Sequence, residues 1–368
     1  MTRPWTEALA RMHGRIARTA ASVTDGFPHV ADPVTGTWTT SPGGDWTGGF
    51  WNGMLWLAAR YGDDPRSRTW ASRWTARLAP RARSETVFRG FLFYYGAALG
   101  DILMSAPLGR EVGLAGASAL AASYNPRARA LPLGSEAEEA TDVGRGEANV
   151  DTVQASALLL WAARLTGDKS LRDVALAHAA RHVELCLRED GSVCQSASFD
   201  PATGAMLRRY THKGITDDST WARAQAWGVL GWTLAALWSG ESRFLEPATT
   251  AADWWLAQAP ADRVAFWDFD GPAIPVTNRD TSATAIMAAS FLKLAALSPP
   301  AAAARYREAG EATARALVAR HLGDDGMLRD GCYSKRIDLA TRHELIWGSY
   351  FLYEALHVLD GRLEPLRI

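Results

Sequence analysis

One phrase recurs along the chain and limits what it can fold into. Gly53–Asp64 reads GMLWLAARYGDD, Ala157–Lys169 reads ALLLWAARLTGDK, and Leu234–Ser242 reads LAALWSGES. Weaker echoes stand near Leu99 (AALGDILMSAP) and Leu294 (KLAALSPPAAA). Each is an apolar helix end, a Gly or Ser stop, and an acidic or proline-containing start to the next helix. The echoes lie roughly 35–75 residues apart, the spacing of a two-helix repeat with loop insertions. Helical periodicity dominates and period-2 runs are few. It predicts helices over 4–24, 47–61, 65–82, 89–104, 109–124, 151–166, 169–188, 219–238, 242–258, 281–297, 301–321 and 344–360. Alternate members (47–61, 89–104, 151–166, 219–238, 281–297, 344–360) are the most apolar, while partners such as 65–82 and 301–321 carry arginines on a polar face. Inner and outer helices in alternation describe an all-α fold, an (α/α)6 barrel of six helical hairpins. Two separate helical domains are the competing architecture, but no linker-like composition shift supports a boundary, so residues 1–368 are expected to form a single barrel domain.

The long connections are then informative, because long loops in a compact domain are usually functional. Phe27–Asp45, Asn125–Val150, Asp190–Asp218, Pro260–Asp280 and Leu322–His343 each precede an inner helix. They should gather at one end of the barrel and surround a cleft. Short β pairs are expected there, from SVCQSASFD with GAMLRRYTH across PATG, and from VAFWDFD.

Composition excludes several function classes. A formal net charge of -1 leaves no electrostatic footprint for nucleic acid or an anionic membrane. No segment approaches a membrane span and the start lacks a signal-peptide core. The three cysteines are scattered and have no metal-ligand spacing, which fits free thiols in a reducing compartment and a cytoplasmic location. The chain has no phosphate loop, nucleophile elbow or zinc motif, so neither metal nor cofactor is expected. A monomer or weak homo-oligomer acting on a small molecule is the matching expectation. The outlier is tryptophan, 16 in all: flat indoles stack on sugar rings, and they also fill large helical cores.

The candidate site residues concentrate in Tyr210–Leu237, YTHKGITDDSTWARAQAWGVLGWTLAAL. Polar groups and indoles interleave there as a pocket wall for a polar ring would require. Arg223 and Trp227 share a helix face, flanked by Trp221 and Gln225. Arg223 suits a ligand carboxylate through its bidentate fork, or else an acid on a neighbouring helix. His212, ahead of a glycine-containing loop, reads as a proton donor, a hydroxyl partner or a solvated loop histidine. Asp151 opens an inner helix, either as an N-cap or as a functional acid at the mouth, with Gln154 one turn on. Trp46, beside Asp45, faces the mouth ahead of 47–61. His178 and His182, four apart on an outer helix without a third ligand, read as structural.

These blocks carry a resemblance. FPHV at Phe27–Val30, DWTGGFW at Asp45–Trp51, GFLF at Gly90–Phe93, and VD followed by LLLWA at Val150–Ala162 resemble the unsaturated glucuronyl hydrolases, glycoside hydrolase family 88. So do FDPATG at Phe199–Gly204, the TH.G.TD.STW.R.QAW pattern at Thr211–Trp227, FWDF at Phe266–Phe269, RD.SA.AI at Arg279–Ile286, and IWG.Y at Ile346–Tyr350. The resemblance runs over nearly the whole chain and implies an (α/α)6 barrel. It also implies a reaction: an aspartic acid protonates C4 of a 4,5-unsaturated uronyl sugar and water adds at C5. The hemiketal then collapses, opening the ring and releasing the aglycone. This differs from glycosidases whose two carboxylates flank the glycosidic bond. Asp151 matches the acid/base aspartate, with Arg223 as carboxylate anchor and Trp227 as ring platform.

The chain departs from that pattern at several positions. The family's second aspartate, in a His-Asp pair ahead of Gly-Phe, is matched by Phe88 in Thr86-Val87-Phe88-Arg89-Gly90-Phe91. Gln195 stands for a family histidine and Lys213 for the glutamine after Thr-His. A loop tryptophan has no counterpart in Ala128–Gly134. Arg89, Lys213 and Phe88 make the expected pocket more cationic and apolar. Desolvation, which Phe88 itself supplies, would then have to keep Asp151 protonated. Glu85, Glu147 and Asp218 are candidates for the missing acid. Three functions follow: hydration of an unsaturated uronyl sugar; a repurposed barrel using Asp151 as lone donor to an alkene or enol ether of a natural product, in hydration, isomerisation or cyclisation; and a non-catalytic sugar-binding protein.

Overall fold

A computed structural model describes residues 5–138 and 144–368. The start of the expected 4–24 helix and part of the 125–150 connection therefore lie outside the described residues. The inner helices are α2 (Gly48–Tyr61), α4 (Arg89–Phe93) continued through a π turn at Tyr94–Ala98 into α5 (Leu99–Met104), α7 (Ala155–Thr166), α9 (Ala222–Ser239), α11 (Thr281–Leu297) and α13 (Ile346–Leu359). The outer helices are α1 (Thr6–Ser22), α3 (Ser67–Leu78), α6 (Pro107–Ala121), α8 (Lys169–Cys186), α10 (Leu245–Gln258) and α12 (Pro300–Arg320). Inner helices contact one another in the order α2, α4–α5, α7, α9, α11, α13 and back to α2, which closes the ring. The expected (α/α)6 barrel is what forms.

The reason lies in the residue pattern. Nearly every residue of α9, α11 and α13 is buried, whereas α12 buries only Tyr306, Ala309, Gly310, Thr313, Ala314 and Leu317 along one stripe. The recurring glycine stop is used literally at Gly167 and Gly240, which end α7 and α9 at φ 74° and 75°, a backbone region open to glycine without steric cost. The π turn has a local cause. Gly96 O accepts from Asn52 Nδ2, from Thr75 Oγ1 at 2.8 Å and from Trp56 Nε1 at 3.3 Å, so a carbonyl diverted from the helix ladder is satisfied by side chains.

Two three-stranded antiparallel sheets cap the inner-helix N-termini. One has the order β2 (Trp38–Ser41), β1 (Phe27–Ala31), β6 (Glu344–Leu345). The other has the order β3 (Glu147–Asn149), β4 (Ser196–Phe199), β5 (Met206–Tyr210). The expected β4–β5 pair is present, with Ser196 opposite Tyr210. VAFWDFD makes only isolated bridges, Phe266 to Arg279 and Asp268 to Trp221, because these tie the segment to two different loops. Residues 219–221 likewise precede α9 rather than belong to it. Among the described residues no helix is long and apolar enough to cross a membrane.

Candidate active site

The acid Asp151 sits in a 3-10 turn, Val150–Gln154, between β3 and α7. It is 6% exposed, and its amide donates to Asn149 Oδ1 at 3.1 Å. Two close approaches fix this turn. A Cβ on Gly90 would lie 2.7 Å from Ala155 Cα, and one on Gly231 would lie 2.6 Å from Val153 Cβ. Glycine therefore lets α4 and α9 press on the turn from either side. Behind it, His178 Nε2 donates to Thr152 O at 3.0 Å while its Nδ1 accepts from Leu131 N at 3.1 Å, and His182 Nδ1 donates to His178 O at 2.8 Å. Burial lowers both imidazoles, His182 to about 4, so they are neutral packing groups, as the sequence reading has them.

Sheet register brings a second group to the same place. Glu147 and Asn149 are two apart on β3 and share a face. Glu147 is fully buried and its Oε1 lies 2.6 Å from His212 Nε2. The loop bearing His212 is pinned by Gln195 Oε1, which accepts from Thr211 Oγ1 and from the His212 and Lys213 amides at 2.7, 2.8 and 3.0 Å. Gln195 thus holds the loop. Of the acids weighed for the missing position, Glu85 is exposed and binds Ser135 Oγ, Asp218 is exposed, and only Glu147 turns inward.

The opposite wall is aromatic. Phe88 stacks on Phe91 at 5.6 Å, Phe91 on Trp227 at 5.5 Å, and Trp46 lies 6.0 Å from both Phe88 and Phe91 and 4.6 Å from Trp347. Trp46 Nε1 donates to Glu138 Oε2 at 2.8 Å, and Tyr333 donates its hydroxyl to Glu138 Oε1. Lys213 Nζ lies 3.7 Å from Glu138 and 4.3 Å from the Tyr333 ring centroid. Neither Glu138 nor Tyr333 was singled out from the sequence. Both sit in long connections that were marked as functional, the only signal they gave.

Several of the expected site residues are engaged within the protein. Arg223 is 1% exposed, pairs with Asp280 at 2.5 Å, and donates to the Cys332 and Tyr333 carbonyls at 2.8 and 2.6 Å. Its guanidinium also lies 4.4 Å from the centroid of Trp221, which is itself 2% exposed. Gln225 is spent on Val193 N, Gly191 O and Ala251 O. Trp227 is wholly buried against Phe50, Phe91 and Phe351. Arg89 points away from the barrel axis, to the Thr86, Ala82 and Ala119 carbonyls and Ser123 Oγ, so it adds no charge to the pocket. Arg223, Gln225 and Arg89 arise at the site end, but internal acceptors reach their donors first, whereas the buried Trp227 Nε1 has no hydrogen-bond partner among the described residues.

The mouth of this closed helical barrel thus carries a buried acid, a His–Glu pair and an indole wall. No family model matches the sequence. The unsaturated glucuronyl hydrolase of Bacillus sp. (strain GL1) is 34% identical over 367 residues, 97% of either chain. The unsaturated chondroitin disaccharide hydrolase of Streptococcus pyogenes serotype M1 is 28% identical over 323 residues, 85% of this chain and 80% of that one. A solved structure of a UGL variant with dGlcA-Glc-Rha-Glc superposes with a TM-score of 0.91 at 34% identity, covering 96% of each chain. The chain belongs to the unsaturated glucuronyl hydrolases, glycoside hydrolase family 88.

Proposed function

We propose that the protein, working as one unit over residues 1–368, hydrates the C4=C5 vinyl ether of a 4,5-unsaturated uronyl sugar, with Asp151 as proton donor. The observation that carries this reading is the seat of Asp151: buried in a clamped turn that follows directly on β3, the strand that carries Glu147 to His212. The Asp151 carboxyl gives its proton to C4, and the ring oxygen stabilises the positive charge left at C5. Water adds its oxygen to C5 and returns a proton to the Asp151 carboxylate. The C5 hemiketal then collapses, the ring opens and the aglycone leaves as a free sugar. Burial disfavours a charged carboxyl, which is what a donor at neutral pH needs. His212, held by Glu147, is the partner for a sugar hydroxyl. Relatives named for unsaturated glucuronyl and unsaturated chondroitin substrates support the substrate class.

One observation favours a second reading. The Phe88–Phe91–Trp227 ladder carries the apolar core up to the mouth, where a less polar alkene or enol ether would rest. Asp151 would then be a lone donor to a natural product. Incubation with unsaturated uronyl disaccharides, following loss of the conjugated alkene's absorbance, separates the two. Turnover is expected, with a loss of about 10²–10⁴-fold in Asp151→Asn. No turnover at high enzyme concentration leaves the second reading standing, and turnover that survives Asp151→Asn removes the donor assignment.

A further inference from the structure

The turn that carries Asp151 is also held from inside the barrel. Tyr95 stands in the π turn between α4 and α5, with the rings of Phe50, Tyr350 and Phe351 at 4.6, 4.9 and 5.7 Å from its own. Its hydroxyl lies 2.5 Å from Gln154 Oε1, and Gln154 Nε2 donates to the Asp151 carbonyl at 3.3 Å. Tyr95 and Gln154 are both buried. The direction of these two bonds is set at both ends. A backbone carbonyl only accepts, so the amide must turn Nε2 to Asp151 and Oε1 to Tyr95. Burial pushes the Tyr95 phenol well above its usual range, so the hydroxyl keeps its proton and donates it to Oε1. The adjacent phenol is used elsewhere: Tyr94 accepts from Trp238 Nε1 at 2.9 Å, at the far end of α9. Of the two tyrosines in the π turn, Tyr95 is the one linked to the acid.

On the uronyl hydrolase reading above, with Asp151 as donor, we infer that Tyr95 is a positioning residue: through Gln154 it holds the Asp151 backbone and so sets where the carboxyl meets C4. The contacts of Gly90, Gly231 and His178 bear on Ala155, Val153 and Thr152, all beyond the acid, whereas the Tyr95–Gln154 link reaches the acid's own carbonyl. Without the hydroxyl, a buried amide oxygen loses its donor, and rotating to another partner takes Nε2 off Asp151. His212 rides on a separate loop pinned by Gln195, so sugar binding is spared while proton delivery suffers. Moving a reacting group by about 1 Å can cost about 10²-fold in rate.

The test is kcat and KM of wild type, Tyr95→Phe, Gln154→Met and the double variant on an unsaturated uronyl disaccharide, with amide hydrogen exchange across Val150–Gln154. Tyr95→Phe keeps the ring packing, and should lower kcat about tenfold while KM stays within about twofold. The double variant should fall no further than Gln154→Met alone, because the hydroxyl acts through that amide. Exchange across Val150–Gln154 should rise in Tyr95→Phe, a readout that stands if Gln154→Met does not fold. A kcat equal to wild type in Tyr95→Phe, losses that multiply in the double variant, or unchanged exchange overturns the inference alone. Failure of wild type to turn over the disaccharide overturns the hydrolase reading and this inference with it.

Discussion

Replacing Arg223 with methionine tests how the first turn of α9 is used. Arg223 and Asp280 are 1% and 0% exposed, and Asp280 Oδ2 has Arg223 Nη1 at 2.5 Å. The other Asp280 oxygen caps α11, accepting from Ser282 N at 3.0 Å and Ser282 Oγ at 2.6 Å. Methionine fills much of the arginine volume but leaves one buried carboxylate oxygen and the Cys332 and Tyr333 carbonyls without these donors. Removing one partner of a buried pair costs about 3–5 kcal/mol. At about 2 cal/mol/K of unfolding entropy per residue, a chain of this length loses about 5 °C of melting temperature for that cost. Thermal and urea unfolding measure it. Arg223→Met should melt about 5 °C lower, and adding Asp280→Asn should recover part of the loss, because no unpaired charge is then buried. Activity should fall along with stability, since Arg223 also holds the Tyr333 backbone. A variant that melts like wild type, with KM raised tenfold and kcat unchanged, would refute this and return Arg223 to the substrate.

Phe88→Asp should cost about 3 kcal/mol of stability, because the ring packs between Trp46 and Phe91. By placing a second carboxylate two residues from Gly90, which packs against Ala155, it should also carry uronyl disaccharide turnover to higher pH, and an unshifted pH–rate profile would separate position 88 from Asp151. His182 titrates at about 4 when folded against about 6.5 when unfolded. The stability tied to its neutral form is therefore complete above pH 6.5 and falls away as the pH drops toward 4, by about 3 kcal/mol. Urea unfolding at pH 7 and pH 4.5 should show a smaller acid loss in His182→Gln, and equal losses would count against it.

The barrel was legible because its rule is repetitive: apolar helix, stop, polar-faced helix, five times over, with the last apolar helix paired to the first helix of the chain. What the pattern hides is visible in α11, which reads as uniformly apolar yet buries Lys293 in an ion pair with Glu354 of α13 at 2.8 Å. The loops were legible as positions and not as geometry. Periodicity placed Asp151, His212, Lys213 and Trp46 at the mouth, but whether an arginine faces a cleft or a neighbouring acid depends on partners over 50 residues away, as Asp280 is from Arg223. Glu147 could be weighed from sequence only as one acid of three. The β3–β4–β5 register, which no local pattern specifies, is what turned it toward His212.

A phenylalanine at position 88 makes physical sense once the clamp on Asp151 is separated from the side chains around it. The turn is fixed by glycine contacts at Gly90 and Gly231 and by the His178 hydrogen bond to Thr152 O, none of which needs a carboxylate at position 88. A phenylalanine there joins Trp46, Phe91 and Trp227 in a continuous ring contact, so the position is filled by apolar packing. The charge balance at the mouth is then set by loops instead: Glu147 with His212 on one side, Glu138 with Lys213 on the other. On the proposed reading, one acid delivers the proton and two separate loop pairs recognise the sugar.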